Sequence, residues 1–119
     1  MKLLLFLFLS LLLTIQNGTY SIKAFLDYLQ EKGYWDIIYN IKNIFGEEVA
    51  IDICTKLTES PNDCEEVVRD YMTTPSVNKC PADPLEKMKL ILNPIDDPII
   101  IKRLNDRILI EIIEPYCPL

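Results

Sequence analysis

The chain has 119 residues, half of them hydrophobic, with 12 basic and 18 acidic side chains, no histidine and a formal net charge of −6. Nucleic-acid affinity comes largely from clustered Lys and Arg, and the lysines here are scattered in an acidic chain, which excludes nucleic acid as a partner and disfavours anionic membranes at neutral pH. The missing histidine excludes imidazole-based triads and dyads and most metal hydrolases.

The N-terminus reads "MKLLLFLFLSLLLTIQNGTYS". Lys2 precedes an apolar run from Leu3 to Leu13, too short to span a bilayer core as a helix and of the length of a signal-peptide h-region. Thr19 and Ser21 form a small-x-small cleavage pattern, so residues 1–21 are expected to be a signal peptide and 22–119 a single domain. A cut after Gly18, or an uncleaved N-terminal anchor, is the alternative. The expected localisation is extracellular, or the lumen of the secretory or lysosomal pathway. Loss of Lys2 leaves 11 basic against 18 acidic residues. The sequon Asn17-Gly18-Thr19 sits at the leader boundary and would be discarded with it.

Helical periodicity then runs almost throughout. Ile22, Phe25, Leu26 and Leu29 predict a first helix that Gly33 stops or bends. Tyr34, Ile37, Ile38, Ile41, Ile44 and Phe45 repeat the spacing in a second helix, closed by Gly46. Glu47 and Glu48 suit the dipole at the start of a third helix, whose stripe of Val49, Ala50, Ile53, Cys54 and Leu57 puts Cys54 on a buried face. After the turn "TESPND", Asp63 is the expected N-cap of a fourth helix. Glu66, three residues on, would complete a capping box, and Val67, Val68, Tyr71 and Met72 are its apolar face. The stretch "TTPSVNKCPA" is a loop. Asp83-Pro84-Leu85-Glu86 starts a fifth helix carrying Leu85, Met88, Ile91 and Leu92. Asp97-Pro98 starts a sixth, with Ile101, Leu104, Ile108 and Ile112 as one stripe running to Pro115. The expected fold is all-α: a compact bundle of five to six short amphipathic helices stapled by two disulfides, with no transmembrane segment in the mature chain.

The four cysteines, Cys54, Cys64, Cys80 and Cys117, are an even set in a small secreted chain and read as a disulfide framework. Their spacing contains no zinc-like pair, and no metal or cofactor is expected. Three pairings are open. Cys54 with Cys64 and Cys80 with Cys117 is the preferred one, because it ties two neighbouring helices and anchors the C-terminus. A domain of this size has a modest apolar core, so the staples matter to stability.

The segment "VAIDICTKLTESPNDCEEVVRDYM" is a helix ending in Cys, a turn of about ten residues, and a helix opening C-x-x-V-V-x-x-Y. With the amphipathic helices before it, over about residues 22–72, it resembles the central hairpin of saposin-like proteins. The resemblance implies a small, secreted, helical, disulfide-bonded domain that binds or disturbs lipid, with Cys54–Cys64 as the hairpin bond. The family usually has six cysteines, including a C-x-x-C in its first helix, and here none precedes Cys54.

The acidic doublets Glu47-Glu48, Glu65-Glu66 and Asp96-Asp97 are adjacent on the chain. Helical neighbours point about 100° apart, so each doublet reads as helix-start chemistry and not as a catalytic pair. Three glycines do not build a phosphate-cradling loop. The chain is therefore read as non-enzymatic. "GYWDIIYNIKNIF" concentrates aromatic residues, and Trp35, Tyr34 and Tyr116 are the candidate interaction surface. Two functions are expected: binding of lipid or another apolar ligand between helices, or display of a surface to a protein partner, as an effector or inhibitor does. The first predicts a cavity lined by Ile, Leu and Phe. The second predicts a solid core with a flat patch around Trp35 or Tyr116.

Overall fold

A computed structural model describes residues 22–73 and 80–119. The expected signal peptide, its cleavage site and sequon, and most of the "TTPSVNKCPA" loop lie outside the described residues.

Among the described residues there are seven helical segments and no strand. The first, α1, covers 22–32. It is followed by α2 (Tyr34–Phe45), α3 (Glu47–Thr58), α4 (Pro61–Glu66, continued by a π-helical turn Val67–Tyr71), α5 (Pro84–Leu92), α6 (Pro98–Arg103) and α7 (Asp106–Ile113). None is long and apolar enough to cross a membrane.

Local chemistry accounts for most boundaries. Gly33 takes φ +76°, a left-handed value that suits glycine, and its N–H donates to the carbonyl of Gln30 at 3.1 Å as α1 ends. Gly46 at φ +103° separates α2 from α3. The Asp97 carboxylate accepts from the N–H of Ile99 at 2.9 Å, with Pro98 in the first helical position, as the Asp-Pro signal predicts.

Three expectations are corrected. The expected sixth helix is two. Asn105 accepts from the Ile108 N–H through Oδ1 at 3.1 Å and donates through Nδ2 to the Lys102 carbonyl at 2.9 Å. One side chain therefore closes α6 and caps α7, making seven helices in place of five to six. The N-cap position of α4 is Ser60, with Pro61 following, and Asp63 lies inside the first turn, so the capping box is not formed. Tyr71 is 44 % exposed, because the wider π-turn, closed by the Met72 N–H on the Val67 carbonyl at 3.1 Å, carries Val67, Val68 and Met72 inward and swings Tyr71 out.

One hydrophobic core joins all the helices. Leu29, Ile38, Ile41, Phe45, Ile53 and Met88 are among its fully enclosed side chains. The α2–α3 hairpin is its centre; α5 packs on α2, and α6 and α7 pack on α3. Both preferred cysteine pairs are joined, with Cα atoms 5.7 Å apart for Cys54–Cys64 and 5.4 Å for Cys80–Cys117. The first bond is wholly buried and lies on the stripe that placed Cys54 in the core.

Candidate functional site: an apolar groove among the last three helices

The C-terminal end of α5, α6 and the start of α7 enclose an open groove of about 530 Å³. Its walls are Leu92, Ile95, Ile100, Ile101, Leu104 and Leu109. Its volume is in the range of small-molecule sites, about 300–1,000 Å³. The groove follows from the helix break. The turn at Leu104-Asn105 separates α6 from α7, and apolar residues of both, Ile100 and Ile101 on one and Leu109 on the other, line the groove. The rim is polar: Lys89 reaches Asp106 at 3.5 Å, bridging α5 to α7, with Asn93 and Asn105 beside it. On the same helices, Leu90 is 70 % exposed, Ile99 63 % and Ile101 52 %. Ile101 is a wall of the groove, whereas Leu90 and Ile99 are exposed on the same helices outside its lining.

The expected aromatic surface is not brought together in one place. Tyr34 is buried and packs edge-on to Tyr28, with ring centroids 6.2 Å apart. Its phenol pKa is raised, first by burial and then by the nearby Tyr28 and Asp97. Tyr34 also lines a smaller recess of about 240 Å³ with Ile37, Pro94 and Ile95. Ile95 is a wall of both recess and groove. Trp35 is half-buried against the core. Tyr116 is exposed beyond α7, where its carbonyl meets Cys80, and its phenol pKa is raised by partial desolvation and then by Asp52 and Glu48. Cys54, Cys64, Cys80 and Cys117 are all consumed in disulfides.

Two polar features hold the frame around these surfaces. Lys42 of α2 is 3 % exposed, and its ammonium donates to the carbonyls of Val68 and Met72, each at 2.5 Å. It satisfies carbonyls that the ending helix leaves without intrahelical partners. The sequence signal was present: Lys42 sits at i+4 from Ile38, next to Ile41 and three before Phe45, on the buried stripe. On the surface, Arg69 bridges Glu47 at 2.6 Å, Glu48 at 3.0 Å and Glu65 at 3.3 Å, joining the π-turn to the start of α3.

Among the described residues no group of three or more Cys, Asp or Glu is arranged to hold a metal ion. Comparison with protein-family models, curated proteins and solved structures gave no match.

Proposed function

We propose that the protein is a secreted, non-enzymatic helical factor that binds a lipid or another apolar ligand, on a disulfide-stapled architecture of the saposin-like kind. The groove between α5, α6 and α7 carries this reading, because six aliphatic walls beneath a thin polar rim suit a hydrocarbon chain better than a polar solute. The stapled hairpin of α3 and α4 supports the architectural comparison. The groove lies C-terminal to the segment that resembles that family, so the ligand site proposed is this chain's own. Two disulfides are compatible with the secretory pathway.

Native mass spectrometry after exposure to laurate and to lysophosphatidylcholine, at neutral and acidic pH, tests the reading. A one-to-one adduct is expected, and it should weaken when Ile101, half-exposed in the groove wall, is replaced by Glu. Absence of any adduct at either pH would remove the proposal. The second reading, a docking surface for a protein partner, draws on Leu90 and Ile99, which stand exposed outside the groove walls. It predicts instead that Leu90→Glu and Ile99→Glu abolish partner capture while lipid has no effect.

A further inference from the structure

A second concavity of about 580 Å³ adjoins the α6–α7 corner, lined by Thr55, Lys56, Glu59, Lys102, Arg103 and Asn105 among others. Three cations face one carboxylate there, in a chain whose net charge is −6. Glu59 is paired with Arg103 at 3.1 Å, and Lys56 also faces Asp52 one turn back on α3. Lys56 lies in the last turn of α3, and Lys102 and Arg103 in the last turn of α6, so each offsets the negative end of its own helix. That role does not require the two helix ends to converge on one hollow, and here they do. The hollow and the apolar groove share Asn105 as a common wall. Both polar ends of the Asn105 side chain are engaged in closing α6 and capping α7, which fixes the ridge between the two.

We propose that the ligand is an anionic single-chain amphiphile: its hydrocarbon chain lies in the α5–α6–α7 groove, and its carboxylate or phosphate crosses the Asn105 ridge to Lys56, Lys102 and Arg103. This rests on the apolar-ligand reading of the groove and adds the head group and the residues that select it. Lysine and arginine donate charge-assisted hydrogen bonds to either anion, and Arg103, already held by Glu59, is pre-oriented at the edge of the hollow.

The test uses laurate, dodecyl phosphate and dodecanol, which share one chain, with the full disulfide-bonded protein and the exposed double variant Lys56→Ala/Lys102→Ala. The wild type is expected to bind both anions about tenfold more tightly than the alcohol, the effect of one charge-assisted contact at a solvated site. The double variant should remove most of that advantage, leaving the part that Arg103 supplies. Equal affinities for all three ligands, or anion binding unchanged in the double variant, would overturn the head-group assignment while leaving the groove reading standing. Failure of all three to bind would remove both. Inorganic phosphate is the remaining arm: it should leave laurate bound at equal concentration. Displacement of laurate by phosphate, with NMR shifts confined to Lys56, Lys102 and their neighbours, would show a free-anion site and overturn the amphiphile.

Discussion

The Lys42 ammonium on α2 lies 2.5 Å from the main-chain oxygen of Val68, twenty-six residues along the chain. That contact, with its companion to Met72, fastens the end of the α4 π-turn to the middle of the molecule. Replacing Lys42 by Met keeps the apolar stem and removes the donors, leaving two buried carbonyls without them. The expected cost is about 1–3 kcal/mol. Urea unfolding should show it against Lys87→Met, the same exchange at an exposed position of α5, worth within about 0.5 kcal/mol. Similar midpoints for the two variants would mean that water replaces the lysine at no cost.

The two staples should differ in worth. In the chain-entropy model a loop of about eleven residues at Cys54–Cys64 contributes about 3 kcal/mol, and one of about 38 residues at Cys80–Cys117 about 4 kcal/mol. Cys54 and Cys64 are both fully buried, so their double Ala variant truncates two core side chains, whereas the Cys80/Cys117 variant truncates one, Cys117 being buried and Cys80 exposed. The Cys54/Cys64 variant is therefore expected to lose at least as much stability as the Cys80/Cys117 variant, in spite of its shorter loop. Thermal unfolding of the two double variants orders them, and a Cys54/Cys64 variant of near wild-type stability would refute the expectation.

Asn105→Ala removes both hydrogen bonds that close α6 and cap α7. A loss of about 1 kcal/mol is expected, with Asn105→Asp retaining the capping half. Because the same residue forms the ridge between groove and hollow, laurate affinity should fall with the cap in Asn105→Ala. Unchanged stability in the Ala variant would show that another group supplies the cap.

Asp52 gives a pH signature. Its pKa is raised, first by partial desolvation on α3 and then by Glu48, with Lys56 opposing. An acid whose folded pKa lies above its unfolded value binds its proton more readily when folded. Its ionisation therefore weakens the fold, and this contribution to stability recovers as pH falls through the folded pKa toward the ordinary carboxylate range. Asp52→Asn should accordingly raise the melting temperature modestly at neutral pH and leave it unchanged near about pH 3, where both states carry the proton. The side chain is largely exposed, so the gain is small. A destabilised Asn variant at neutral pH would reverse the assignment.

Much of the frame was legible in the sequence because its causes are local. Gly46, Asp97-Pro98 and the stripe through Ile53 and Cys54 act within a turn of themselves, and α2, the start of α6 and the burial of Cys54 follow. The split at Asn105 was hidden because the apolar stripe of Ile101, Leu104 and Ile108 runs through it at helical spacing, while the cap that breaks it is one amide side chain. Tyr71 was misplaced because the π-turn shifts the helical period by one residue, and nothing in the composition of "VVRDY" marks that shift. The groove was illegible for a different reason. It is the space left between three elements, and it depends on how α5, α6 and α7 are placed against one another, which no window of sequence contains. Tyr34 and Trp35 drew attention by their residue type, yet α2 turns that face toward the core.

The order of the two disulfides along the chain has a consequence for covalent topology. Cys54–Cys64 closes within the first half and Cys80–Cys117 within the second, and neither crosses between them. A single proteolytic nick anywhere between Cys64 and Cys80 would therefore yield two fragments, each closed by its own disulfide and joined by noncovalent contacts alone, among them the packing of α2 against α5 and of α3 against α6 and α7 and the Glu59–Arg103 ion pair. The molecule is a latent two-piece complementation system: once nicked, its halves should part in denaturant without any reductant, and refolding would become a bimolecular event.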